Sequence, residues 1–251
     1  MKSSPISAVT FVLILVSLVE AKSSNLEAND RRVARVSLEI TETPYITQIR
    51  RADGSLICSG AVLNFLYILT TASCVNGYEA DDLTVVVGTD GLNAGTFYSL
   101  TNVISHENFV PDDRDRHNDI AMLKLARYLR YNTAVRPIPI PEIHETEIGQ
   151  EGSSAVASGW SISSTLKKIR RVINGVNECR RSYASLGVSV NDDYICATTD
   201  VSENDEDGND GSPLVQDSKL IGLKSWSTSG FPDVYTRVAH YRDWIEENNL
   251  A

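Results

Sequence analysis

The sequence has little positive charge, no internal repeat and, after its first 21 residues, no apolar segment long enough to cross a lipid bilayer. It contains 23 Lys and Arg residues against 33 Asp and Glu residues, which gives a formal net charge of −10. A chain this acidic is not attracted to nucleic acid or to anionic membranes, so we expect neither as a partner. It also lacks any Asn-X-Ser/Thr sequence, so no N-linked glycan is expected.

The amino-terminal region has the composition of a targeting segment. Lys2 precedes an apolar stretch at 6–19, and residues 19–21 (VEA) offer the small side chains that signal peptidase accepts. We therefore expect a signal peptide at 1–21 and a secreted, extracellular protein. Residues 22–32 are polar and aperiodic, and we expect them to form a pro-like leader ahead of a domain at 33–251.

The chain has four cysteines, an even number that suits disulfide formation in a secreted protein. Cys58, Cys74, Cys179 and Cys196 allow three pairings, and four free thiols are the alternative. The residues by themselves leave this choice open.

Short runs rich in β-branched residues, separated by turn signals, make up most of the chain. Examples are 83–87 (LTVVV), which precedes Gly88, and 219–223 (KLIGL). Many such strands and few helical periods predict an all-β protein. Two helices are expected, one near 175–183 and one at 241–248.

Three motifs resemble the catalytic segments of the chymotrypsin/trypsin-like serine protease family, and two of them lack the catalytic residue. The segment NDIAMLKL keeps the family's aspartate as Asp119. The segment LTTASC resembles the family's LTAAHC, with Ser73 in place of the general-base histidine. The segment GNDGSP resembles GDSGGP, with Asp210 in place of the nucleophilic serine.

Further segments match the same family in the same order. They are residues 45–49, 58–63, 157–160, 225–227, 234–238 and 241–245. The resemblance covers 33–249 and implies two packed six-stranded β-barrels with a short C-terminal helix and the former active site in the cleft between them. It also implies the disulfides Cys58–Cys74 and Cys179–Cys196.

The resemblance assigns further positions around the former catalytic centre. It implies an activation cleavage between Arg32 and Val33, whose new amino terminus would meet Asn209 where the family has an aspartate. Gly208 and Asn209 are the remnant of the oxyanion loop. The remnant of the specificity pocket comprises Asn204, Ser225, Trp226 and Ser227.

The two replaced residues indicate loss of catalysis. Ser73 cannot accept a proton near neutral pH, and the charge of Asp210 opposes the oxyanion that peptide hydrolysis must form. We therefore expect no catalytic residue, no metal and no cofactor. The expected function is protein binding, with a protease of an extracellular cascade as one candidate partner.

Several alternatives remain open. The protein could be an active endopeptidase in which Asp119 and Asp210 activate water, or a carrier that holds a small ligand in the vacated cleft. The acidic run at 200–210 and the basic run at 167–171 are interpreted as solvated loops or as partner-docking patches. His117, two residues before Asp119, is expected to lie on a surface loop. The sequence indicates no oligomeric state.

Overall fold

Two closed antiparallel barrels of six strands each make up the described part of the chain, which confirms the predicted all-β class. The computed structural model describes residues 40–92, 94–111, 116–142, 144–145, 147–160, 166–199 and 209–249. The predicted signal peptide, the predicted leader and the predicted cleavage site Arg32–Val33 lie outside these residues.

The first barrel has the strand order β1-β2-β3-β6-β5-β4. Its strands are β1 (Ile46–Arg51), β2 (Leu56–Val62), β3 (Tyr67–Thr70), β4 (Leu83–Val87), β5 (Thr96–Ser105) and β6 (Ala121–Leu125). Alternate apolar residues of these strands, such as Val85 and Val87 of β4, point into the barrel core.

The second barrel has the order β10-β11-β12-β9-β8-β7. Its strands are β7 (Ser154–Trp160), β8 (Leu166–Asn174), β9 (Tyr194–Thr199), β10 (Pro213–Gln216), β11 (Lys219–Trp226) and β12 (Asp233–Arg237). Its own core includes Ile195, Leu214 and Ile221.

A further apolar cluster joins the two barrels. Leu69 and Met122 of the first barrel share it with Leu223 of the second barrel and with Trp244 of the C-terminal helix. Burial of these side chains fixes the cleft walls relative to each other.

Three α-helices lie wholly within the described residues: α1 (Ala72–Val75), α2 (Val176–Ala184) and α3 (Arg242–Asn249). Residues 40–42 are also helical. Two 3₁₀ turns, Ala80–Asp82 and Val238–Tyr241, accompany them. The two helices expected from the sequence therefore form, as α2 and α3. No helix among the described residues combines the length and the apolar character needed to span a membrane.

Both disulfides are those implied by the family resemblance. Cys58–Cys74 ties β2 to α1, and Cys179–Cys196 ties α2 to β9. Each closes a short loop, which stabilises the folded state by about 3 kcal/mol in the chain-entropy account.

The interpretation of the basic run 167–171 as a loop is wrong. These residues belong to β8, paired along their length with β7. Arg171 points inward and is buried, and Lys168 forms an ion pair with Glu42. The run is therefore a strand whose charges are partly used inside the protein.

Candidate functional site

Asp119 and Ser73 meet because β3 and β6 pair, with Thr70 opposite Ala121. Ser73 lies in α1 just after β3, and Asp119 lies just before β6. The Asp119 carboxylate accepts hydrogen bonds from the Ser73 backbone N–H at 2.7 Å and from the Ser73 hydroxyl at 2.9 Å. The hydroxyl of Ser225, at the end of β11, donates to the same carboxylate. Asp119 is thus fully buried and surrounded by donors.

Burial dominates the electrostatics of Asp119. Desolvation raises the pKa of Asp119 to about 6, although the bonds from Ser225 and Ser73 and the charge of Arg116 act in the opposite direction. The carboxyl therefore changes its charge within a mildly acidic pH range.

The turn that carries Asp210 is locked against the first barrel. The Ser59 backbone N–H donates to the Asp210 carbonyl at 2.9 Å, and the Ser59 hydroxyl donates to Asn209 Oδ1 at 2.7 Å. Gly211 has φ +76, and a Cβ there would lie 2.1 Å from the Ser59 carbonyl oxygen. Only glycine fits this position, for reasons of both backbone conformation and space.

The side chain of Asp210 forms an ion pair across the cleft. Its Oδ2 lies 3.7 Å from Nη1 of Arg116, and the same Nη1 donates to the Ser225 carbonyl at 2.9 Å. Partial burial raises the pKa of Asp210, while the charges of Arg116 and Lys224 lower it; 43% of the side chain is exposed, so water limits the rise.

A buried ion cluster continues from Asp210 into the second barrel. Asp233 Oδ2 lies 3.0 Å from Arg171 Nη2 and 3.9 Å from Lys224 Nζ. Arg171 also donates to the Thr199 hydroxyl at 2.7 Å. The charge of Lys224 also lowers the pKa of Asp210, which connects this cluster to the Asp210–Arg116 ion pair. Positive and negative residues therefore alternate, and we call the set the charge chain. Its members are Arg116, Asp210, Lys224, Asp233 and Arg171.

The remaining specificity-pocket positions have varied roles. Ser225 donates its hydroxyl to the Asp119 carboxylate. The Trp226 ring packs edge-on against Tyr194, with ring centroids 5.0 Å apart. Ser227 lines a cleft of about 860 Å³, to which Arg171 and Asp233 of the charge chain also contribute. Asn204 and Gly208 lie outside the described residues.

Sequence reasoning missed four members of the charge chain: Arg116, Arg171, Lys224 and Asp233. Lys224 does give a signal in the sequence, because it interrupts the apolar run of β11. The structure shows that its side chain is only 4% exposed. A lysine in such a run needs a buried partner. Arg116 gives no such signal, because it belongs to a charged segment of ordinary surface composition.

His117 is more enclosed than a surface-loop residue. It is half-buried, its Nδ1 lies 3.1 Å from Asp193, and its ring contacts Tyr194. These contacts link the loop before β6 to the loop before β9.

The site places charged groups close together, but among the described residues it contains no hydroxyl–imidazole–carboxylate relay of the serine-protease kind. The hydroxyl of Ser73 is a donor to Asp119, and ionised Asp210 can only accept hydrogen bonds. Arg116, which pairs with Asp210, also lowers the pKa of Asp119, so one cation acts on both carboxyls. Within the same part of the chain, no group of three or more His, Cys, Asp and Glu side chains is placed to hold a metal ion.

Comparisons with known proteins agree with the fold. A structure titled scabies mite inactivated protease paralogue S-I1 has a TM-score of 0.74 and 25% identity, covering 83% of this chain and 96% of that one. Paralogue S-D1 has a TM-score of 0.76 at 20% identity, covering 84% of this chain and 94% of that one, and shows the fold alone.

Sequence comparisons give the family. Trypsin epsilon of Drosophila erecta is 28% identical, with 88% of each chain covered. Phenoloxidase-activating factor 1 of Holotrichia diomphalia is 29% identical, with 82% of this chain and 67% of that protein covered. The family model described as Trypsin matches residues 33–245. The protein therefore belongs to the trypsin family of serine proteases.

Proposed function

We propose that this member of the trypsin family is catalytically inactive and acts outside the cell by binding a protein partner, as a cofactor, decoy or scaffold in a proteolytic cascade. The observation that carries the proposal is the ion pair of Asp210 with Arg116 at the position of the family's nucleophile. A carboxylate already engaged by a guanidinium is a poor nucleophile toward a peptide bond.

The replacement of the base by Ser73 supports the same conclusion. The Ser73 hydroxyl donates to Asp119, and within the described residues no imidazole stands between Asp119 and Asp210 to move a proton. Loss of a serine-protease triad lowers the rate by about 10⁶-fold, which corresponds to roughly 8 kcal/mol of transition-state stabilisation.

The contacts also argue against a carboxylate pair that activates water. Such a pair shares one proton across about 3 Å. Burial favours the neutral form of both carboxyls, but the Asp119 oxygens accept hydrogen bonds from Ser73 and Ser225, and Asp210 Oδ2 lies 3.7 Å from Arg116. The described contacts therefore engage each carboxyl with other groups. The unusual-endopeptidase alternative is therefore not favoured.

The charge chain weighs against a working specificity pocket. Asp233 is an acidic group of the cleft wall, and Arg171 and Lys224 already surround it. A basic substrate side chain would have to displace one of these buried cations, at the cost of leaving it uncompensated.

The names of similar proteins support a non-catalytic role in a cascade. One relative is named as a phenoloxidase-activating factor, and a structural neighbour at 25% identity is titled an inactivated protease paralogue. We infer for this chain a signal peptide at 1–21, a leader at 22–32 and cleavage after Arg32. The acidic run at 200–210 stays a predicted partner contact, since 200–208 lie outside the described residues.

Turnover assays test the proposal. Purified secreted protein, intact and cut after Arg32, is incubated with peptide amides, peptide esters and a fluorophosphonate probe, with trypsin as the positive control. We expect no turnover and no labelling by either form. Activity that co-purifies with the protein and disappears in Asp210→Ala would show that the protein is an enzyme.

A further inference from the structure

One face of the first barrel has a charge opposite to that of the whole protein. Residues 120–141 contain Lys124, Arg127, Arg130 and Arg136 and no Asp or Glu, although the chain carries a net charge of −10. The three arginines are exposed. Within the described residues, none of the three forms an ion pair with a carboxylate.

Exposed aromatic side chains lie in and beside the same segment. Phe65, Phe97, Tyr128 and Tyr131 are 51, 52, 65 and 44% exposed. Phe65 and Tyr128 contact each other edge-to-face, with ring centroids 5.1 Å apart. Single exposed apolar residues are ordinary, whereas Phe65 and Tyr128 form a contacting aromatic pair of which each residue is more than half exposed, a kind of surface that suits a protein interface.

The backbone at Leu129 and the side chain of Arg127 are held in place by contacts within the protein. Leu129 is buried, and its N–H donates to the Phe65 carbonyl at 2.7 Å. The Arg127 guanidinium lies 4.2 Å from the centre of the Tyr98 ring and donates to the Phe97 carbonyl at 2.9 Å. Groups already ordered lose less conformational entropy on binding.

We name this surface the aromatic–arginine face. Its members are Phe65, Phe97, Arg127, Tyr128, Arg130 and Tyr131. We propose that it binds a protein partner through an acidic segment that carries an apolar or aromatic anchor residue. The anchor packs on the Phe65–Tyr128 pair, and carboxylates of the segment pair with Arg127 and Arg130.

The composition of the face selects this class of partner. Tyr and Arg are enriched among the few residues that dominate binding at protein interfaces, and a guanidinium can donate two parallel hydrogen bonds to one carboxylate. Sulfated polysaccharides would use the arginines but leave the aromatic pair without a role. The inference rests on the proposed function, because it names the partner chemistry of a protein that acts by binding.

The face differs from the docking patches expected from the sequence. Arg171 of the basic run 167–171 is buried, so that run cannot form a continuous cationic surface. The aromatic–arginine face lies on the other barrel, in the loop between β2 and β3, at the start of β5 and in the segment after β6.

A peptide selection tests the proposal even though the partner itself is unidentified. A random 16-residue peptide library is displayed on phage and selected on the full secreted protein, and the enriched peptides are synthesised. Their affinities are measured for the wild type, for Arg127→Gln/Arg130→Gln and for Phe65→Ala/Tyr128→Ala. Arg181→Gln/Leu186→Ala is the matched control, since both residues are exposed on the second barrel.

We expect enriched peptides with Asp or Glu around an aromatic or aliphatic residue. Each double variant of the face should weaken binding by at least about tenfold, while the control pair binds like the wild type. Replacing the peptide acids with Asn and Gln should give the same loss. Circular dichroism spectra establish that each variant is folded.

Three results would overturn the proposal. They are failure to enrich any peptide, enrichment without acidic residues, and equal affinity for the wild type and the arginine variant. Binding of a sulfated octasaccharide to the wild type but not to the arginine variant, together with failed peptide selection, would assign the face to polysaccharide instead. Peptide-bond turnover is measured separately on the same samples. Turnover would contradict the proposed function, whereas absence of turnover together with absence of peptide binding would contradict only the proposed binding face.

Discussion

Ser73 donates both its backbone N–H and its hydroxyl to the carboxylate of Asp119, at 2.7 and 2.9 Å. A serine therefore satisfies an acid that stays buried in the absence of an imidazole. The bonds do not fully offset burial, because the pKa of Asp119 still rises from 3.8 to about 6.

This raised pKa predicts a pH dependence of stability. The folded protein holds the Asp119 proton more tightly than the unfolded chain does, so the stabilising contribution is complete below about pH 4 and is lost as pH rises through about 6. The full effect is at most about 3 kcal/mol. In urea unfolding, the free energy of unfolding of Asp119→Asn relative to that of the wild type should therefore be more favourable at about pH 7.5 than at about pH 4. The same difference at both pH values would contradict the assignment, and Asp217→Asn serves as an exposed control.

Removal of the central acid of the charge chain should be strongly destabilising. Asp233→Asn keeps the shape of the side chain but leaves Arg171 and Lys224 buried without their shared carboxylate. We expect a loss of about 3–5 kcal/mol in the free energy of unfolding. Asp217→Asn, on an exposed turn with φ 49, should change stability little. Equal effects of the two substitutions would mean that the cluster contributes nothing.

Gly211→Ala tests the contact between the Asp210 turn and the first barrel. The new methyl group would meet the Ser59 carbonyl oxygen and would strain a backbone at φ +76. We expect a loss of roughly 2–5 kcal/mol, the sum of strain and overpacking. Gly77→Ala, at φ +80 with no atom within 4 Å of the new group, separates the two causes and should lose only the strain. If Gly211→Ala lost no more free energy of unfolding than Gly77→Ala, the close approach of residue 211 to the Ser59 carbonyl would be ruled out.

Restoring the two replaced triad residues should give a poor enzyme. Ser73→His with Asp210→Ser rebuilds the triad beside Asp119, but Arg116 keeps its hydrogen bond to the Ser225 carbonyl in the cleft. Asn209 offers no charge to a new amino terminus, and an imperfect oxyanion site costs about 10²–10³-fold in rate. We expect activity at least about 10²-fold below that of trypsin on the same peptide amide.

Two additions to that variant identify the cause. Asn209→Asp should raise activity only after cleavage at Arg32, whereas Arg116→Ala should raise it in either form. Activity equal to trypsin from the double variant alone would show that neither Arg116 nor Asn209 limits the site.

The barrels, the helices and the disulfides follow from local patterns and from motif order, both of which a sequence carries explicitly. α2 and α3 form where their residues predict them, and each cysteine finds the partner expected from the family resemblance. These features depend on residues close in sequence, or on segments that the family keeps in fixed order.

The charge chain could not be predicted in the same way. Arg171 is buried because Asp233, on another strand of the second barrel, lies 3.0 Å away. Arg116 reaches Asp210 from the other barrel. Apart from Lys224, these residues resemble ordinary charged surface in the sequence, and their burial follows only when the barrels close and place opposite charges together.

The arm of Arg116 has a mechanical consequence. It extends from the first barrel to the Ser225 carbonyl and the Asp210 carboxylate of the second. Arg116 therefore links the two barrels. Movement of one barrel past the other must first break the Arg116 contacts and the hydrogen bonds from Ser59 to the Asp210 turn. We therefore expect the two barrels to unfold as one cooperative unit, because these contacts restrict their movement relative to each other.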